Sequence, residues 1–316
     1  MRLTVLHDTL YDYSPAVETA HHIACLRPRE TACQKLLSHA LVIDPTPPRL
    51  STRTDAFGNQ PTYWDLAQTH ERLHVRACSE VITSPPPELL GTQAWEAVCA
   101  HFRYHASQAA DPQTCFVFGS RHAPLNDAFA AYAQSAFTPG RPLQAAATAL
   151  MQKIHQDFTY ASESTDIHTP ALEALQTRQG VCQDFAHILI ACLRSLGLAA
   201  RYVSGYLLTQ PPEGQERLVG ADASHAWASV YLPELASSAC GGWLDLDPTN
   251  NRQGFGAPGE DYVVVAWGRD FADVSPLRGV LRGGQSHTLK VGVSVTPAAL
   301  PCQHTTEHEL DRPTEP

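Results

Sequence analysis

No two of the nine cysteines in this 316-residue chain are spaced C-x-x-C; they stand at 25, 33, 78, 99, 115, 182, 192, 240 and 302. An odd, scattered set of this kind argues against a disulfide framework and against a thiolate zinc site. Reduced thiols in a cytosol fit better. The chain also lacks a basic surplus: 22 Lys and Arg stand against 32 Asp and Glu, a formal net charge of −10. That balance argues against nonspecific nucleic-acid binding through a basic surface. No run approaches the ~18 apolar residues of a membrane span. The segment Met1 to Asp8 alternates and carries an early charge, so it does not read as a secretory leader. A cytoplasmic protein that avoids membranes is the expectation. Internal repeats and low-complexity segments are missing as well.

Residues 1 to 85 read as β. Leu3-Thr4-Val5-Leu6-His7 and Leu73-His74-Val75-Arg76-Ala77-Cys78 alternate, and Ala40-Leu41-Val42-Ile43 does so less cleanly. Pro45-Thr46-Pro47-Pro48 and Phe57-Gly58-Asn59 punctuate these runs. Short strands with such turns predict an antiparallel sandwich or small barrel. Ser84-Pro85-Pro86-Pro87 is the natural boundary, since prolines cannot continue a strand or enter a helix interior.

Helical spacing follows, from Trp95 to about His105 and from Leu143 to about Phe158. The clearest stripe is Val181, Phe185, Ile188, Leu189, Cys192, Leu193 and Leu196, ending at Gly197. Strands are then expected at Arg201–Leu208, Ala226–Leu232 and Trp243–Leu246, with more between 261 and 295. The predicted organisation is an N-terminal β domain over 1–85, a catalytic core over 86–300 that includes the preceding helices, and a disordered tail over 301–316.

One cysteine stands apart. In Gly180-Val181-Cys182-Gln183-Asp184-Phe185-Ala186-His187 the thiol falls at the start of the predicted helix. An ordinary cysteine, with a pKa of roughly 8.5, is a poor nucleophile until it ionises. A helix start offers unpaired N–H groups and the positive end of the dipole, which favour a thiolate and can hold an oxyanion. Gly180 would leave space for a substrate backbone. Downstream, Ser224-His225-Ala226-Trp227 begins one strand and Trp243-Leu244-Asp245-Leu246-Asp247-Pro248 ends another. An imidazole at 225 can pair with the thiol and protonate a leaving amine if a partner orients its other nitrogen. Asp247, at the strand end, is the better partner. From the residues alone, Asp245, Asn250 and Asn251 stay open for that role.

These segments, with Ala200-Arg201-Tyr202-Val203-Ser204-Gly205-Tyr206 and Asp247-Pro248-Thr249-Asn250, closely resemble the bacterial transglutaminase-like superfamily. Leu26-Arg27-Pro28-Arg29 and Asp55-Ala56-Phe57-Gly58-Asn59 resemble the β domain that precedes the core in one bacterial branch. Gly268-Arg269-Asp270-Phe271-Ala272-Asp273-Val274-Ser275-Pro276 resembles that branch's closing segment. The resemblance implies an α+β, papain-like core after a small N-terminal β-sandwich, with a helix-borne cysteine packed on an antiparallel sheet that carries His and Asp. It implies Cys182 as nucleophile, His225 as general base and acid, and Asp247 as the orienting carboxylate.

Neighbouring residues carry competing readings. Trp227 shares a face with His225 and either lines the site or packs as core. Tyr206 is a candidate site-lining donor, or a packed aromatic. Gln176 is a candidate second oxyanion donor. Asp184 reads as a helix-start charge partner and His187 as structural. His21-His22 and His101-x-x-x-His105 lack the carboxylate or thiolate company of a metal site, so neither metal nor cofactor is expected.

The expected activity is cysteine-dependent acyl transfer on peptide or side-chain amides through a thioester. The chain is short and lacks the calcium-binding acidic loops of the animal crosslinking enzymes, which favours a hydrolase, a peptidase or amidase. The alternatives are protein-glutamine crosslinking and a non-catalytic binding subunit of a peptide-processing assembly. The expected partner is a peptide or protein substrate; no motif identifies a homo-oligomer or assembly contact.

Overall fold

The computed structural model describes residues 1–104, 106, 109–161, 169–209 and 224–298. His105 and the tail from Pro301 lie outside the described residues. The strands and helices are β1 (Arg2–Ala24), β2 (Gln34–Asp44), β3 (Leu50–Thr52), β4 (Thr62–Leu66), β5 (His70–Thr83), α1 (Trp95–His101), α2 (Asp127–Ala133) and α3 (Leu143–Asp157). They continue with β6 (Thr159–Tyr160), α4 (Ala171–Thr177), β7 (Gln179–Gly180), α5 (Cys182–Ser195), β8 (Ala200–Leu207), β9 (Ser224–Tyr231) and β10 (Trp243–Asp247). The last are β11 (Arg252–Phe255), β12 (Tyr262–Gly268), α6 (Phe271–Val274), β13 (Leu277–Gly283) and β14 (Ser286–Pro297). Among the described residues no helix is long and apolar enough to cross a membrane.

β1 organises the first sheet. Its first half runs between β5 and β14, pairing Leu3 with Val81 on one side and with Pro297 on the other. Its second half runs between β4 and β13, pairing Ala24 with Thr62 and with Leu277. The alternation at Leu3, Val5 and His7 is therefore a pleat with these three side chains buried. The sequence places the strands between 261 and 295 in the core over 86–300; of these, β13 and β14 pair with β1 of the first sheet. Strand periodicity sets which face is buried but not which strand is the neighbour.

The second sheet is antiparallel, in the order β11-β10-β9-β8-β12. α5 packs on β8 and β9 and is covered elsewhere by α2, α3 and α4. Every residue from Asp184 to Arg194 is buried. The expected one-sided stripe is thus a helix enclosed on all sides, because helices cover the face that would otherwise meet water. Burying Phe185, Ile188, Leu189, Ile190 and Leu193 stabilises it by roughly 1.5–3 kcal/mol per side chain. Gly197, at φ +86°, lets the chain turn after the helix. Arg194, 2% exposed, donates twice to the Ala200 carbonyl and once each to Ser120 and the Arg269 carbonyl, fixing the connection into β8.

The start of β2 and the loop before β4 dock on β12. Gln34 Nε2 donates to the Val264 carbonyl while its Oε1 accepts the Val264 N–H. Asn59 does the same at Trp267, donating 2.9 Å to its carbonyl and accepting its N–H at 3.1 Å. Arg29 lies 3.6 Å over the Trp267 ring. The motifs around Arg29 and Asn59 thus clamp one sheet to the edge of the other. The apolar core is also shared: Leu3, Val5, Val81, Val293 and Val295 join the cluster built around α3 and α5.

Candidate active site

α5 begins at Cys182 because Asp184 closes its first turn. Asp184 Oδ2 accepts the Val181 N–H at 2.9 Å, as the third residue of a helix does when it caps backward. Gly180 makes this possible, since a Cβ there would lie 2.7 Å from that oxygen. The glycine serves the cap; the space reserved for a substrate in the sequence reading is filled by Asp184. Cys182 stands partly buried at the first helical position, where backbone N–H groups have no partner within the helix.

His225 is the second residue of β9, next to β8 and β10, with its side chain 10% exposed. Its Nε2 lies 2.7 Å from Asp247 Oδ2. The nearby Cys182 also favours the charged ring. Asp247 occupies Nε2, which leaves Nδ1 as the nitrogen for the thiol. Burial alone would lower the His225 pKa. The hydrogen bond to Asp247 and the nearby Cys182, with their charges, outweigh it and raise the pKa to about 10.

Asp247 is fully buried and heavily satisfied. Its Oδ2 accepts from the Tyr262 hydroxyl and from Asn250 Nδ2, each at 2.7 Å, besides His225. Its Oδ1 accepts the N–H groups of Thr249 at 2.9 Å and Asn250 at 3.3 Å. Burial pushes its pKa up, but the hydrogen bond and charge of His225, with Asn250 and Tyr262, hold it below the usual carboxylate value. Asp245 does not reach His225: its Oδ1 accepts from Trp227 Nε1 at 2.8 Å and Ser229 Oγ at 2.7 Å. The choice between the two carboxylates is therefore geometric. Both lie on one face of β10, and only the rim position meets the imidazole.

Trp227 is fully buried, 6.0 Å from the His225 ring and tilted 31° to it. Tyr262 lies 6.0 Å from the same ring on centroids and packs edge-on against Trp227. These two aromatics wall the imidazole. Gly205, paired with His225 across the β8–β9 ladder, makes room for them. A Cβ at 205 would lie 2.2 Å from the Val263 carbonyl and 2.5 Å from the Trp227 ring. Neither Tyr262 nor Gly205 carries a sequence signal for this role, because each acts through a neighbour in the sheet rather than in the chain. Tyr160, opposite Gly180 on β6, stands close enough to Cys182 and Asp184 that burial, then their charges, raise its pKa.

The remaining candidates go elsewhere. The Tyr206 hydroxyl meets His7 Nδ1 of β1 at 2.9 Å, joining the two sheets. Gln176 stands exposed on α4. His187 is buried, stacked between His122 and Tyr202, and its Nε2 accepts the Phe271 N–H at 3.2 Å. His21 pairs with Asp65 at 2.5 Å, His22 stacks on Trp64, and His101 pairs with Asp111 at 2.8 Å. Among the described residues no group of three His, Cys, Asp or Glu could hold a metal.

A helix-borne thiol, packed against an antiparallel sheet whose rim carries a His–Asp pair, defines the class of cysteine-dependent acyl-transfer folds. The chain belongs to the transglutaminase-like superfamily. The family model described as "Transglutaminase-like superfamily" matches residues 130–248, and that of the "Bacterial transglutaminase-like N-terminal region" matches residues 3–82. An uncharacterized protein of Mycobacterium tuberculosis is 41% identical over 302 residues, which is 94% of this chain and 93% of that protein. A protein-glutamine gamma-glutamyltransferase of Pseudomonas aeruginosa is 33% identical over 110 residues, 34% of this chain and 16% of that enzyme. A crystal structure from Cytophaga hutchinsonii, provisionally assigned as a cysteine protease, superposes with a TM-score of 0.70 at 20% identity. The match covers 100% of this chain and 93% of that one and shows that the fold is shared.

Proposed function

We propose that this chain is a cysteine peptidase or amidase that cleaves peptide or side-chain amides through a thioester, with Cys182, His225 and Asp247 as its catalytic residues. The observation that carries the reading is the His225 imidazole, hydrogen-bonded through Nε2 to the buried Asp247 carboxylate and near enough to Cys182 for the thiol to favour its charged form. Cys182 Sγ attacks the amide carbon, and the first-turn N–H groups of α5 receive the developing oxyanion. His225 Nδ1 gives its proton to the departing amine or ammonia, and the C–N bond breaks. Water then attacks the thioester, His225 takes up its proton, and the S–C bond breaks to release a carboxylic acid. Asp247 keeps the ring oriented throughout. A reducing compartment such as the cytoplasm would keep Cys182 available.

The Pseudomonas aeruginosa relative's name favours a second reading, in which an amine rather than water accepts the acyl group. Both readings share the first half-reaction. Incubation with a peptide library, with and without a primary amine, and mass spectrometry of the products separates them. Cleaved or deamidated peptides that vanish in Cys182→Ala support the hydrolase. Joined peptides that have lost ammonia would replace it with the transferase. A Cys182 that reacts with a thiol probe no faster than an unfolded cysteine would leave only a binding role.

A further inference from the structure

Arg201 is the most unusual charge outside the candidate active site. Only 5% exposed, it lies 4.1 Å over the Trp243 ring and 3.8 Å over the Trp267 ring. Two indoles therefore cover its guanidinium, leaving the N–H edge as its polar outlet. That edge is nearly unused: Nε reaches Ser229 Oγ at 3.4 Å, and among the described residues neither Nη has a hydrogen-bond partner. Asp245 acts on it through charge; its Oδ1 accepts from Trp227 and Ser229, and its buried Oδ2 has no hydrogen-bond partner among the described residues. Burial pushes the Arg201 pKa down to about 9, with Asp245 opposing and the nearby Arg29 adding to the fall. A buried cation with idle donors calls for an anion.

Space for one adjoins it. Arg201 lines a cleft of about 540 Å³ between the docked N-terminal loops and the second sheet. That is the size of a site for a small organic molecule, typically 300–1,000 Å³. Arg29 and Glu30 also line it, as do Phe57 and Phe116, whose rings pack at 5.5 Å. Arg29 donates from Nη1 to the Phe57 carbonyl and to Asn59 Oδ1, while its buried Nε has no partner among the described residues, so it stands beside Arg201 as a second cation of the cleft. The cleft is separate from the Cys182 site. Ser229, which holds Arg201, lies four residues along β9 from His225, roughly 13 Å away at strand rise, with the buried Trp227 between them.

We propose that this cleft binds a small organic oxyanion, a carboxylate or phosphate held by the two Nη groups of Arg201, with a flat apolar body against Phe57 and Phe116. Both oxyanions match the planar donor fork, and the apolar rings favour an aromatic or aliphatic body over a bare inorganic ion. The site needs both sheets, because Phe57 comes from the N-terminal loops and Arg201 from β8.

The test is titration of the full chain, ¹⁵N-labelled at tryptophan, with benzoate, phenyl phosphate and neutral benzyl alcohol as probes. The indole N–H signals of Trp243 and Trp267 are expected to move along one saturating curve with at least one anion, and not with benzyl alcohol. The tighter anion identifies the head group. Arg201→Gln is expected to weaken binding at least tenfold, and Phe57→Ala several-fold with the charge intact. Equal shifts from benzyl alcohol, shifts that never saturate, or undiminished binding by a folded Arg201→Gln would overturn the proposal. Should Arg201→Gln fail to fold, the wild-type contrast between anion and alcohol decides alone. The readout is independent of any activity at Cys182.

Discussion

Tyr262 donates its hydroxyl, at 2.7 Å, to the same oxygen of Asp247 that receives His225. The tyrosine comes from the far edge of the second sheet, two strands beyond the histidine. It shares that oxygen with Asn250 Nδ2, while the N–H groups of Thr249 and Asn250 hold the other.

Removing that bond alone should loosen the carboxylate without removing its charge. Tyr262→Phe is expected to lower kcat/KM by about tenfold, the equivalent of ~1.4 kcal/mol. Asp247→Asn should cost far more, on the order of 10³–10⁴, because it also disturbs the imidazole tautomer. Steady-state kinetics on a cleaved amide substrate checks the ranking. Equal losses would show that Tyr262 does more than hold Asp247.

His225 should titrate near pH 10 in the folded protein, against an ordinary 6.5. NMR of the labelled ring measures this directly. Asp247→Asn and Cys182→Ser should each lower the value, since each removes a group that favours the imidazolium. The sign for stability follows. A base whose folded pKa is raised contributes stability that is fully present below pH 6.5 and is lost as pH climbs toward 10. Urea midpoints should fall across that window, and the fall should shrink in Asp247→Asn.

Acid acts through other histidines. Burial lowers the pKa of His7, His22 and His39 to about 4 and that of His187 to about 3. Each stays neutral when folded while its unfolded form takes a proton below 6.5. Stability should therefore fall as pH drops from 6.5 toward 4, before most carboxylates titrate. A urea midpoint that stays level from pH 6.5 to 4.5 would contradict this. His7→Gln should blunt the effect and weaken the tie to Tyr206.

Two glycines should resist a single added methyl group. Gly205→Ala would press on the Val263 carbonyl and the Trp227 ring, at an expected cost of about 1–3 kcal/mol of overpacking. Gly180→Ala would displace the Asp184 carboxylate that caps α5. Both are expected to lower activity through displaced neighbours, Trp227 in one case and Cys182 in the other. Thermal unfolding beside activity measurements separates loss of fold from misplacement.

The pattern of the chain carried a good deal of this. The α5 period, the strands that follow it and the order Cys182, His225, Asp247 were legible, because local spacing sets which side chains share a face. The motifs around Arg29 and Asn59 were visible as motifs, but their use as clamps on β12 was not. Likewise α2 and α4, each only seven residues, left no periodic signal long enough to read.

By itself the sequence determined α3, α5 and the strands that follow α5, the residue types needed for thiol chemistry and the position of that thiol at a helix start. Tertiary structure alone decided that Asp247 rather than Asp245 meets His225, that Tyr262 completes the carboxylate's shell, that β13 and β14 return to β1, and that Gly180 serves Asp184. The physical reason is common to all four. Periodicity along a chain tells which way a side chain points, whereas the identity of its partner depends on strand order and on packing between residues far apart in sequence.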